Sequence, residues 1–384
     1  MCERAQKQMP VRCRWSPPAL AMLAAVIIAG CGSGANKGSA RSERQSADVR
    51  LAQQAVDRNL AANASYSGPQ TGPVAKHGEL VVFVAADITN GGIAGVARGV
   101  EQATRAIGWR LRIIDGRASV AGRRQAMRAA LALRPDGIIL GGFDAAEQRP
   151  SLVRARQERI PVVGWHAYIR PGPDPNDDLF ANVSTEPRAV ATLAADYVIA
   201  RSHGHAGVAI FYDPGFEISI EKADVMQAAL TKCGGCRVLA IDKVPISQAQ
   251  ALMPALVAKL VRRYGSRLTD LLAVNGNYFA GSAAGLFALG IGGAAPPFAV
   301  AAGDGDASEF ARIRGRRYQA ASVAEPLYLQ GWQLIDDLNR AFSHDPPSTY
   351  TPPPRLITAA DAPAGGVFNP RAAYRRDYLR IWGA

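Results

Sequence analysis

The 384-residue chain has no apolar run long enough to cross a bilayer, which takes about 20 residues. Its longest, Ala19-Leu20-Ala21-Met22-Leu23-Ala24-Ala25-Val26-Ile27-Ile28, stops well short. Catalytic signatures are missing too. There is no Gly-x-Ser-x-Gly, no His-Glu-x-x-His and no Gly-x-x-x-x-Gly-Lys-Ser/Thr. Four of the five histidines, His77, His203, His205 and His344, show no metal-ligand spacing. The Gly-rich stretch Gly290-Ile291-Gly292-Gly293 follows a helix-like segment, not a strand, so it does not read as a dinucleotide loop. No enzyme activity, cofactor or metal is therefore expected. The formal net charge is +12, but the basic residues alternate with Ala and Leu and form no run with interleaved aromatics. Nucleic acid is not an expected partner; a solvated basic surface beside an anionic membrane is.

What the apolar run does suit is export. A basic head (Arg4, Lys7, Arg12, Arg14) precedes it, and Ile28-Ala29-Gly30-Cys31 closes it. This arrangement resembles a bacterial lipoprotein signal, with residues 1–30 removed and Cys31 carrying the lipid. Once they are removed, 40 basic and 31 acidic side chains remain, a net of +9. Either Met1 or Met9 starts the chain. Residues 31–77 read as a flexible tether of Gly, Ser, Ala and Pro, with a possible short helix over 41–62. Cysteine is scarce: five in all, of which Cys2 and Cys13 fall in the leader. Cys233-Gly234-Gly235-Cys236 is expected to form a small-loop disulfide in an oxidising periplasm.

From Gly78 on, short apolar runs alternate with amphipathic segments. Residues 79–85, 110–115, 137–141 and 160–165 read as strands, separated by helices over 95–108, 121–133 and 151–158. The alternation resumes with strands at 207–211, 238–241, 271–274, 298–302 and 318–323. Helices fall at 189–201, 219–232, 248–264, 279–289 and 327–342. Continuous apolar strands with intervening helices predict an α/β protein of two doubly wound parallel-sheet lobes. In such sheets ligands bind beyond the carboxyl ends of the strands.

Several phrases then carry a resemblance. Arg134-Pro135-Asp136-Gly137-Ile138-Ile139-Leu140, Glu158-Arg159-Ile160-Pro161-Val162-Val163 and Gly303-Asp304-Gly305 occur in the order and spacing of the sugar-binding periplasmic proteins of the ribose-binding type. The chain resembles that type I family over about Glu79 to Arg340. The lac-repressor family shares the core, but an export-like leader stands here where a DNA-binding domain would. The resemblance implies a three-strand hinge: crossings near Asn182-Val183-Ser184, Val323-Ala324-Glu325 and between Pro346 and Pro354. It divides the body into a first lobe (78–182 and 325–345) and a second (183–324 and 346–384, including the C-terminal tail). It also implies the substrate-binding lipoprotein of an ABC importer, a monomer that delivers a sugar or similar small polar solute to an inner-membrane permease. The alternative is the same scaffold serving an amine, a nucleoside or a signal molecule, or presenting its ligand to a sensor.

Carried over residue by residue, the ligand positions are Asn90, Trp165, His166, Lys222, Asn275, Asn277, Asp304 and Glu325. Planar polar groups at such positions suit paired hydrogen bonds to hydroxyls. Two departures stand out. Gly92 and Ile93 occupy positions where the family carries stacking aromatics, and His166-Ala167 replaces its Asp-Arg pair. Trp165 or Tyr168, or a ring among Phe211, Tyr212 and Phe216, would then supply the aromatic wall. Glu325 beside Asp304 makes the site rich in acceptors.

Overall fold

The computed structural model describes residues 35–62, 66–371 and 373–384, with side chains from residue 45. The leader read from residues 1–30 and the lipidation site Cys31 lie outside the described residues. Helix α1 (Ala35–Ala61) comes first. The first sheet is then built from β1 (Leu80–Ala85), α2 (Gly91–Ala106), β2 (Arg110–Asp115), α3 (Val120–Ala132), β3 (Gly137–Gly141), α4 (Arg149–Gln157), β4 (Val162–Trp165), β5 (Gly172–Asp174) and β6 (Leu179–Val183). The strands order as β2-β1-β3-β4-β6-β5, all parallel except β5. Every side chain of Val81 to Ala85 and of Ile138 to Leu140 is buried. That is why these runs are continuously apolar: helices cover both faces of the sheet.

The second sheet repeats the plan. It comprises α5 (Pro187–Arg201), β7 (Gly207–Tyr212), α6 (Glu217–Lys232), β8 (Arg237–Lys243), α7 (Ala249–Tyr264), β9 (Asp270–Ala273), α8 (Asn277–Ala288), β10 (Phe298–Ala301), α9 (Ala307–Arg314) and β11 (Gln319–Ala324). Its order is β12-β11-β10-β9-β7-β8, where β12 (Arg355–Thr358) is the antiparallel edge. Two separate cores follow, one under each sheet. Helix α10 (Leu327–Phe342) leaves the second sheet and returns to the first core through Leu327, Leu334, Ile335 and Leu338. It lies very close to α2, since a Cβ on Gly331 would sit 2.5 Å from the Val100 amide nitrogen, and only glycine permits that approach. Cys233 and Cys236 are joined, with their Cα atoms 5.4 Å apart. Among the described residues no helix is long and apolar enough to cross a membrane.

The chain ends pack onto the body. The helix read over 41–62 is present and begins earlier, running from Ala35 to Ala61. From Arg41 on it belongs to the same compact unit as the rest of the body. Ala52 and Val56 enter the second core, and Asn59 binds Pro354 O (3.0 Å) and the Leu356 amide (2.7 Å) through its side chain. Polar composition suggested a linker, but a few small apolar residues on one face are enough to dock a helix. The C-terminal tail, assigned to the second lobe, ends on the first. Helix α11 (Tyr374–Trp382) packs Tyr374, Tyr378 and Trp382 into the first core. Trp382 stacks on Trp332 of α10 (centroids 5.5 Å, planes 4° apart) and donates to Asp336 Oδ1 at 2.9 Å. Asp336 also holds Arg340 at 2.7 Å.

Trp382→Ala removes the stacked ring and leaves Asp336 short of a donor. It is expected to lower unfolding stability by about 3–5 kcal/mol in urea titrations; a loss under 1 kcal/mol would show that α11 is not part of the first core.

Candidate functional site

Both sheets end in loops at the carboxyl edges of their strands, and these loops face one another across a cavity of about 250 Å³. The first lobe supplies Asn90, Ile93, Arg123, Trp165 and His166; the second supplies Phe216, Lys222, Asn275 and Asp304. Of the eight positions named from sequence, Asn90, Trp165, His166, Lys222, Asn275 and Asp304 line this cavity. Asn277 does not. As the first residue of α8 it turns to a neighbouring cleft lined by Arg98, Asp306 and Tyr328. Glu325 is fully buried behind the wall. Neither Tyr168 nor Phe211 lines the cavity; the aromatic wall is Trp165 with Phe216. Arg123 on α3 went unnoticed from sequence. Its guanidinium pairs with Glu147, twenty-four residues on, and lies over the Phe216 ring at 5.5 Å. No local pattern links those three positions.

Local folding explains the placement. Asn90 caps α2: its Oδ1 accepts the amides of Gly92 (2.9 Å) and Ile93 (3.3 Å). Trp165 ends β4, donates to Gln330 Oε1 at 3.0 Å, and stacks on His166 with centroids 4.0 Å apart. His166 adopts a left-handed backbone (φ 50°), which turns its ring from the strand toward the hinge. Asn275 Oδ1 accepts the Asn277 amide at 3.2 Å.

The charged groups centre on Glu325, at the crossing from β11 to α10. Its Oε2 receives His166 Nε2 (3.0 Å), Gln330 Nε2 (3.1 Å) and the Thr185 amide (3.3 Å). Its Oε1 receives Lys222 Nζ at 3.3 Å. Burial alone would raise this carboxyl, but His166 and Lys222 outweigh it and hold it well below the usual glutamate range. Asp304 has the opposite fate. Burial pushes it up to about 8 against the pull of Lys222, and Glu325, Glu309 and Asp306 push the same way. Across the cleft, first-lobe Asp144 accepts the Glu217 amide at the start of α6 (3.0 Å), and burial raises it to about 7. Gly92 has no side chain to hold the lobes apart: a Cβ there would lie 2.4 Å from Asp304 Oδ2.

One expectation is revised. The sequence shows no convergent metal ligands, yet His166, Asp304 and Glu325 each bring a ligand atom within 4.8 Å of the others. They could hold a small cation. In the present arrangement the positive charge on Glu325 comes from Lys222.

A family described as "Periplasmic binding protein domain" matches residues 81–345. No match among curated protein sequences was found. Among solved structures, similarity extends to the periplasmic binding component of the arabinose ABC transporter from Shewanella sp. ANA-3. It shares 15% identity and a TM-score of 0.63, over 79% of this chain and 95% of that one. A glucose-galactose binding protein from Geobacillus stearothermophilus gives 19% and 0.64, over 75% and 100%. A periplasmic ribose ABC transporter protein from Conexibacter woesei gives 15% and 0.61, over 77% and 95%. At these identities the likeness establishes the fold. It is the type I periplasmic binding fold, two doubly wound lobes.

Glu325→Ala leaves the buried Lys222 ammonium without its counter-charge and the His166 ring without its partner, and should cost about 3–5 kcal/mol at pH 7 by urea unfolding. Because the folded-state value is depressed, the stabilisation is present above the ordinary glutamate value of 4.5 and is lost as acid protonates the carboxyl below it. The gap between the two proteins therefore narrows below pH 4.5. A pH-independent gap would show that packing, not charge, accounts for the loss.

Proposed function

The chain belongs to the periplasmic binding protein domain family, and from that premise we propose that it captures a small polar solute between its two lobes and delivers it to an ABC permease. It is a binding protein, not an enzyme. The observation that carries the reading is the convergence of side chains from both lobes on one cavity at the carboxyl ends of both sheets. A cavity of about 250 Å³ suits a ligand of monosaccharide size. The named relatives are described by arabinose, glucose-galactose and ribose, so sugars and polyols head the candidate solutes.

Hinge closure explains how such a receptor signals occupancy. The lobes meet through Asp144 and Glu217 on one side and through Gly92 and Asp304 on the other. A solute bridging both walls adds to these contacts only when the lobes are together, and so shifts the population toward the closed form. Ile28-Ala29-Gly30-Cys31 supports a lipid on Cys31, which would keep a monomeric receptor at the membrane on the periplasmic side.

A thermal-shift panel of L-arabinose, D-ribose, D-galactose, myo-inositol, small primary amines and adenosine tests the reading. A true solute at a hundred times its Kd should stabilise the protein by about 2.7 kcal/mol. Failure of every member to shift the transition would contradict solute capture.

A further inference from the structure

The basic side chains of the cavity wall are already engaged by the protein itself. Arg123 is paired with Glu147, and His166 and Lys222 both with Glu325. Most acids nearby are satisfied too. Asp213 accepts the amides of Gly215 (2.8 Å) and Ile246 (2.7 Å), and Asp87 Oδ1 takes the amide and hydroxyl of Thr89 (2.9 and 2.6 Å). Asp304 differs. It lines the cavity, is only 7% exposed, and its carboxyl receives no hydrogen bond among the described residues. The α2 N-terminus beside it cannot serve, because the Gly92 and Ile93 amides are taken by Asn90. A buried polar group without a partner is costly, and one aimed into a cavity is completed by what enters it. The same cavity also presents apolar wall at Ile93, Val120, Phe216, Ile218 and Ile246.

We propose that the solute is a small primary amine, its ammonium seated on Asp304 and its compact apolar or ring body against Phe216, Ile218 and Ile246. This rests on the solute-capture reading and narrows its ligand class. A hydroxyl would give Asp304 one hydrogen bond. An ammonium gives it a charge-assisted bond and the only uncommitted positive charge in the cavity. Arg123 and Lys222 are paired with Glu147 and Glu325, so a carboxylate or phosphate on the solute would have to compete with those acids.

Matched probes test this on the full chain by calorimetry: phenethylamine against 2-phenylethanol, cyclohexylmethylamine against cyclohexylmethanol, with D-glucose and D-ribose alongside. At least one amine should bind about tenfold or more tightly than its alcohol. Asp304→Asn should abolish the preference. Thermal unfolding of the variant checks that it folds, and the amine-over-alcohol preference of the unsubstituted protein stands on its own. Equal or tighter binding of the alcohols or sugars would overturn the amine assignment and leave solute capture standing. If none of these probes binds, the amine assignment falls.

Discussion

A carboxylate with no exposed surface, at the point where the chain passes between two lobes, must be neutralised from close by. Glu325 is that group. Its partners come from different parts of the fold: His166 from the first lobe, Lys222 from the second, Thr185 from one crossing and Gln330 from the helix after another. Taking a charge out of water is repaid only when the partners are well placed. The ion cluster is therefore a constraint on geometry more than a source of stability. It ties the lobes at the hinge, and it removes Lys222, the nearest cation, from the pool available to a ligand.

That removal shapes the cavity. Lys222 and His166 line it but face inward to Glu325, and Arg123 faces Glu147. The remaining open valence is Asp304, set against Gly92 where a larger residue could not fit. Glycine at this position lets an acid of the opposite lobe reach the first.

Much of this was legible in the sequence. Strands such as Leu80–Ala85 and Gly137–Gly141 are buried on both faces, so their apolar runs are unbroken and easy to read. The crossings were placed by resemblance. Less legible was α11, where Tyr374, Tyr378 and Trp382 recur at four-residue spacing among arginines. That spacing was the available signal, hidden by the Gly- and Pro-containing stretch before it. The start of α1 reads as linker by composition because its few apolar residues are small. At the site, positions near strand ends could be found. What they bond to could not, because Glu325 meets His166 across 159 residues and Lys222 across 103. For the same reason Glu325 was read as a ligand contact, and the structure places it one layer back.

The claim that Glu325 joins the lobes is tested most directly by a distance between them. Spin labels on Arg117→Cys, two residues past β2, and Lys243→Cys, at the end of β8, both exposed, report it by pulsed electron resonance. With Glu325 intact the account predicts a narrow distribution. Glu325→Ala should broaden it and move it to longer distances. The same distribution in both proteins would contradict the hinge role assigned to this residue.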